Sequence, residues 1–260
     1  MKELNFTASC GSPPPSNKNY FLHCHDEYEV YMFIEGDSRY VIEDKNYFLS
    51  PDDVIIIRKR EMHRVWHNSE KPYSRITITV SPEFFSEWGC KEYEKAFLEP
   101  SRKGNKINAD VVHKSGLYDA IMRMKAYTCD FESLDTPIAA TTLVEVLYSI
   151  NQISNFENSD ESNKPIEQVI NYINNHFTEE ISLDKLCETF FVSKYYLCHG
   201  FKKHTGITVQ TYIREKRFAM FEEKRKEERL LTECASLSGF TDYSAFYRAY
   251  IKKYGKSPKK

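Results

Sequence analysis

Residues Ile181–Gly206 read ISLDKLCETFFVSKYYLCHGFKKHTG, a stretch that parses as two helices around a tight turn. Leu183, Leu186, Cys187 and Phe190 recur at helical spacing, so the first helix has one apolar face. Val192-Ser193 ends it, and Ser193 is a good N-cap for the next helix. In that second helix Tyr196, Leu197 and Phe201 are expected to face inward. Tyr195, Cys198, His199, Lys202 and Lys203 are expected to face out, and Gly206 sits where a C-terminal cap belongs. Two short helices of this kind form the helix-turn-helix, whose second helix can enter the DNA major groove. A helical hairpin with a small core would look similar, so the stretch needs support from elsewhere in the chain.

That support lies 49 residues downstream, where Leu230–Gly255 reads LLTECASLSGFTDYSAFYRAYIKKYG. Leu197 aligns with Phe246, Phe201 with Tyr250, Lys203 with Lys252 and Gly206 with Gly255. The segments FFVSKYYLCHGFKKHTG and SGFTDYSAFYRAYIKKYGKSP resemble the C-terminal domain of the AraC family of bacterial transcription regulators, over roughly the last 95 residues. The resemblance implies two recognition helices meeting successive major-groove faces about 34 Å apart. It carries base-facing roles to Tyr195, Cys198 and His199, and in the second motif to Tyr243, Ser244, Tyr247 and Arg248. Arg248 is the best single reader, since a guanidinium grips guanine or phosphate bidentately; a structural ion pair is its alternative. Lys202, Lys203, Lys252, Lys253 and Lys256 would contact phosphates, adding affinity without sequence information.

Three departures from the family pattern stand out. Gly200 replaces a bulky apolar residue, which costs about 1 kcal/mol relative to Ala and predicts a softer helix. His199 stands where Arg or another polar residue is usual. In the connecting helix, read as Arg214–Leu230, Phe218 and Phe221 fit the buried face, but Glu222 and Arg225 replace Ala and Leu. Mixed-sign i,i+4 pairs there suggest a solvated helix and a loose register between the motifs. The sequence ends in Ser257-Pro258-Lys259-Lys260, ahead of the family's usual last aromatic.

Upstream, Ile166–Phe177 is an amphipathic helix that opens this module, and the polar run 154–164, SNFENSDESNK, reads as a linker. Before it, Leu117, Ile121 and Met124, then Leu143, Val146, Leu147 and Ile150, define two amphipathic helices broken near Leu134–Pro137. A pair lacking a core of its own is expected to pack on a copy of itself and hold a homodimer. Residues 82–98 are also helical.

From Tyr20 to about Val80 the chain reads as β. Glu29–Gly36 is a strand ending in a turn, and Ser38–Ile42 with Asn46–Leu49 is a hairpin. Val54–Ile57 is an uninterrupted apolar run suited to a buried strand, and Arg75–Val80 alternates. Short strands at this spacing indicate an antiparallel barrel or jelly roll. HCHDEYEVYMFIEG, which is His23-x-His25-x3-Glu29-x6-Gly36, resembles the first cupin motif. Its continuation through IEDKNYFLSPDDVIIIRKREMHRV resembles the sensor domain of AraC-type regulators. Asp53 replaces the glycine common after the proline, and only His63 remains of the second cupin motif.

His23, His25, Glu29 and His63 are the candidate binding set. On a strand the first three would share a face. They could hold a metal, line a ligand pocket, or serve as structural polar residues; the broken second motif favours the pocket, with no metal and no cofactor. Arg39, Trp66, His67 and Arg75 could add to a polar pocket mouth, where aromatic faces and charged groups suit a sugar. Arg39 is counted with the ligand-binding residues.

Composition agrees with two domains. The 260 residues are 41% hydrophobic with 18 Tyr and 17 Phe, enough apolar material for two cores. Residues 1–164 carry 19 Lys+Arg against 26 Asp+Glu, whereas residues 165–260 carry 17 against 12. A basic module joined to an acidic one suits a phosphate-binding half plus a regulatory half. No run approaches a membrane span and no signal pattern opens the chain. The seven cysteines are scattered without a CxxC, predicting reduced thiols and a cytoplasmic protein.

The expected architecture is therefore α+β. It comprises a leader at 1–19 with no reason to pack, a cupin-like sensor at 20–105 and a helical dimerisation segment at 106–153. The linker at 154–164 and a double helix-turn-helix domain at 165–260 follow. The expected function is transcription regulation through promoter DNA in response to a small-molecule effector, as a homodimer that also engages RNA polymerase. A metal-dependent cupin enzyme, oxygenase or isomerase, with a helical appendage is the rival from another class.

Overall fold

Val54-Ile55-Ile56-Ile57 has no polar alternation because both faces of its strand are covered. In the computed structural model, which describes residues 5–17, 20–98, 104–129, 136–153, 164–227 and 229–258, all four are buried. Val54 and Ile56 join a core beneath helices, while Ile55 and Ile57 join an aromatic interior on the other side. The strands are β1 (Phe6–Gly11), β2 (Tyr28–Glu35), β3 (Ser38–Ile42), β4 (Lys45–Phe48), β5 (Val54–Ile57), β6 (His63–His67), β7 (Ser74–Val80) and β8 (Lys106–Ile107). They form a five-stranded sheet in the order β1-β7-β2-β5-β8 and a three-stranded sheet β4-β3-β6, antiparallel throughout. Tyr31, Phe33 and Tyr73 meet Tyr40, Tyr47 and Val65 of the smaller sheet in the aromatic interior.

The leader was expected to stay free, yet Phe6–Gly11 is the edge strand β1, paired with β7 from Phe6↔Val80 to Gly11↔Arg75. Its alternation explains this: Phe6 is buried in the helix-covered core, with Ala8 and Cys10 packed against it. Cys10 is disulfide-bonded, which corrects the expectation of reduced thiols throughout. Cys24, Cys90, Cys187, Cys198 and Cys234 are free. Sequence spacing does not report which distant segments a strand pairing brings together.

Helices α1 (Pro82–Glu87), α2 (Lys95–Leu98), α3 (Ala109–Lys114), α4 (Leu117–Cys129) and α5 (Thr136–Gln152) supply the rest of this unit. Leu117, Ile121, Met124, Leu143, Val146, Leu147 and Ile150 are all buried in one core with Val30, Met32, Ile76 and Ile78. The apolar stripe assigned to dimerisation is thus consumed inside the chain, covering the outer face of the five-stranded sheet. The proposed linker lies almost wholly outside the described residues.

A second unit is formed by residues 22–26, 60–62 and 162–260, the first by 1–21, 27–59 and 63–161. The helical unit contains α6 (Lys164–His176), α7 (Leu183–Phe190), α8 (Lys194–Thr205), α9 (Val209–Lys224), α10 (Leu231–Leu237) and α11 (Tyr243–Tyr254). Leu22, Cys24 and Met62 are buried in its core beside Ile166, Ile170, Leu186 and Ile213. Lys216 Nζ donates to the Arg60 carbonyl at 2.6 Å, and Arg60 pairs with Glu223 at 3.1 Å. In space, therefore, this unit does not begin at residue 165. The connecting helix also ends earlier than expected, at Lys224, followed by a 3-10 turn at Arg225–Glu227.

Candidate nucleic-acid interface and sensor interior

The first motif is built as its sequence implies. Ser182 and Ser193 accept from Lys185 N and Tyr196 N, capping α7 and α8, and Gly206 closes α8 in the left-handed region. Leu197 and Phe201 are buried, whereas Tyr195, Cys198, His199, Lys202 and Lys203 are exposed. Tyr196, expected inside, is also exposed. The rings of Tyr195 and His199 stack at 5.6 Å, one helical turn apart, on the outward face. Phe191, in the turn, went unnoticed in the sequence. It is 95% exposed and holds φ 52, a conformation unfavourable for an aromatic residue.

In the second motif Asp242 caps α11 through Ser244 N, and Gly255 ends it in the left-handed region. Phe246 and Tyr250 are buried. Ser244, Tyr247, Arg248 and Lys252 are exposed and Tyr243 is half-buried. Partial burial, then the neighbouring Tyr247, raises the Tyr243 hydroxyl's pKa. Among the described residues Arg248 has no ion pair, so the structural alternative for it finds no carboxylate. Lys253, expected at phosphate, pairs instead with Glu215 and lies 5.3 Å over the Phe218 ring.

The connecting helix α9 is more than a solvated spacer. Tyr250 OH donates to Glu222 Oε1 at 2.7 Å, and Arg225 pairs with the other Glu222 oxygen. The two residues that depart from the family pattern therefore hold the second recognition helix. At the other end, Arg217 donates to the carbonyls of Phe177 and Glu179 at 2.6 and 2.7 Å, tying α9 to the chain just beyond α6.

In the β unit, Glu29 and Tyr40 point into the aromatic interior, where Tyr40 OH donates to Glu29 Oε1 at 3.1 Å. His63 Nε2 stands 3.8 Å from Glu29 Oε2, and both residues are buried. Burial, then the Glu29 charge, pushes the Tyr40 hydroxyl well above the ordinary tyrosine range. Tyr31 and Tyr73 share a hydroxyl–hydroxyl bond of 2.8 Å. His67 is bonded to Ser38 Oγ at 2.9 Å, and burial, reinforced by Arg75, lowers its pKa and favours the neutral ring.

Glu29 and His63 are thus brought together within this unit. Regular pairing of β2 begins at Tyr28, so His23 and His25 have no strand alternation to share with Glu29; they belong to the 22–26 segment, with ring centroids 6.0 Å apart. Arg39 alternates with Tyr40 and Trp66 with Val65, which turns both away from the interior.

Two families match the chain: the AraC-like ligand binding domain over residues 9–126, and a helix-turn-helix domain over residues 186–260. The chain belongs to the AraC family of transcription regulators. It is a DNA-binding regulator with a cupin-like ligand-binding domain ahead of its double helix-turn-helix. It is similar to the HTH-type transcriptional activator RhaS of Salmonella arizonae, 23% identical over 91% of this chain and 85% of that one. RhaS of an Enterobacter species is 22% identical with the same coverage. Among solved structures, ToxT from Vibrio cholerae is 13% identical over 98% of this chain and 96% of its own, with a TM-score of 0.41. A Listeria innocua protein of unknown function is 34% identical over 36% of this chain and 90% of its own, with a TM-score of 0.34.

Within this AraC-family chain, two of the sequence departures have physical explanations. A Cβ on Gly200 would lie 3.1 Å from Ile166 Cδ1, so the volume of a side chain there is already filled from α6. Asp53 accepts from Ser50 N at 2.8 Å and from Ala109 N at 3.0 Å, using its carboxylate to join the turn before β5 to the start of α3. No helix among the described residues is long and apolar enough to cross a membrane.

Proposed function

We propose that this regulator reads its operator through Tyr195, Cys198 and His199 on α8 and through Tyr243, Ser244, Tyr247 and Arg248 on α11. Lys202, Lys203 and Lys252 supply phosphate contacts. The observation that carries this reading is the pair of N-capped recognition helices, each with buried anchors behind and those side chains outward, Tyr243 half-buried among them. Mobility-shift titrations of the full chain on promoter fragments test it. Binding is expected to weaken with salt at a log–log slope near −0.9 per phosphate neutralised. Failure to shift any fragment at low salt sinks the assignment.

The effector is a small polar molecule, with a sugar the best chemical fit, held at Glu29 and His63 among the interior tyrosine hydroxyls. At about 100 times its dissociation constant it adds roughly 2.7 kcal/mol of stability by mass action. Glu29→Gln is expected to abolish that shift while DNA binding persists. Stoichiometric metal in the purified protein, lost on His63→Ala, would favour the cupin-enzyme alternative. The regulator acts in the cytoplasm as a homodimer and engages RNA polymerase. Because Leu143 and Leu147 are buried, the outward Ile138 and Tyr148 of α5 are the better dimer candidates. Tyr148→Asp is expected to yield monomers in sedimentation.

A further inference from the structure

The outer face of the three-stranded sheet carries charge that the regulator reading leaves unused. Arg39 on β3 stands opposite Phe48 of β4 and Trp66 of β6, so the three form a row across one face. Arg64, two residues before Trp66, shares that face. Its guanidinium carbon lies 4.4 Å from the Trp66 ring centroid, and that of Arg39 lies 5.7 Å from it. One indole thus collects two cations at a single place.

These cations are poorly compensated. Arg64 is only 9% exposed, and Nε of both arginines is buried without a hydrogen-bond partner. Among the described residues neither guanidinium is ion-paired. Burial, then the Arg39 charge, lowers Arg64 to about 10, so it remains charged at neutral pH. Two like charges with unsatisfied buried donors are a liability to the protein unless an anion completes them. The planar fork of arginine matches a carboxylate or phosphate bidentately, and Trp66 and Phe48 offer flat apolar flanks.

We propose that this face is a binding site for a small ring-bearing anion, its carboxylate or phosphate gripped by Arg39 and Arg64 and its ring laid against Trp66. The site is distinct from the interior, where the Glu29 carboxylate would repel such a ligand. Trp66 reports on it directly, since the chain has two tryptophans and Trp88→Phe leaves one indole. Phenyl phosphate, benzoate and the neutral benzyl alcohol are titrated into the full-length Trp88→Phe protein while indole emission is followed. The two anions are expected to give saturable changes, the tighter one naming the preferred group, and the alcohol none. Arg39→Gln and Arg64→Gln each weaken the response at least about tenfold. Arg64→Gln also raises the ligand-free melting temperature, because the buried charge it removes has no ion-pair or hydrogen-bond partner among the described residues and outweighs the lost contact with Trp66. No saturation by either anion up to the order of 10 mM, or an undiminished response in both variants, overturns the site. So does a lowered melting temperature for Arg64→Gln. Conversion of a dimer to monomer by Arg39→Gln also overturns it, the face then holding a second copy's carboxylates.

Discussion

The two recognition helices share caps and buried positions, yet they are held by different kinds of packing. Behind α8 lies a largely aliphatic core of Ile166, Val169, Ile170, Ile173, Leu186 and Leu197. Behind α11 the rings of Phe218, Phe221, Phe240, Phe246 and Tyr250 interlock, with Phe246 centroids 4.5 Å from Phe221 and 4.9 Å from Phe240. Their turns differ as well. Phe191 occupies a left-handed position that faces solvent, whereas Gly239 at φ 91 is pressed against the backbone of Thr178. Motif identity therefore resides in the caps and two buried anchors per recognition helix; the remaining core is free to vary. The outward chemistry diverges too, toward a stacked Tyr195–His199 pair on one helix and the Arg248 guanidinium on the other.

The contrast in packing predicts unequal losses. Phe246→Ala is expected to cost about 3–5 kcal/mol in urea unfolding, at the upper end for core truncations, because five aromatic neighbours lose a partner. Leu197→Ala should cost less, and an equal or larger loss there would break the distinction. The turns should respond with opposite signs. An added Cβ on Gly239 lies 2.7 Å from Thr178 Cα, so Gly239→Ala costs about 1–3 kcal/mol. Phe191→Gly relieves a left-handed residue and should stabilise by about 1 kcal/mol; a destabilised Phe191→Gly would mean the exposed ring has a packing role in the fold.

DNA binding should separate the motifs next. Arg248→Ala is expected to lose about 1–3 kcal/mol on the specific site and little on random DNA. Lys203→Ala should weaken all sequences alike and lower the salt slope by about one. Equal losses on both DNAs for Arg248→Ala would reassign it to a phosphate. The smallest effect concerns Gly200. Alanine there regains up to about 1 kcal/mol of helix propensity but must displace Ile166 Cδ1. Little net change is expected in the native background, and a gain approaching 1 kcal/mol once Ile166→Val removes that methyl. A large loss in both backgrounds would show that α8 requires glycine for another reason.

Much of the chain was legible because its signals are local. Caps at Ser193 and Gly206, the 49-residue repeat, the hairpin and the run at Val54–Ile57 depend on neighbours within a few residues or on a simple period. The candidate base readers were carried over from the family resemblance, and periodicity agrees by setting them on the face away from the buried Leu197, Phe201, Phe246 and Tyr250. Periodicity does not say what covers a face. The stripe on α4 and α5 was equally suited to a second copy or to a sheet, and only the tertiary structure placed Leu143 and Leu147 against β strands of the same chain. Likewise, Glu222 read as a solvated charge until packing brought Tyr250 to it across 28 residues. Arg39 and Trp66 were expected beside the ligand until strand register turned them outward together. Sequence alone determined the elements, their caps and their apolar faces, because those follow from local backbone and side-chain chemistry. The partners of those faces, the course of residues 22–26 and the company of each buried charge were decided by long-range packing, which no local pattern encodes.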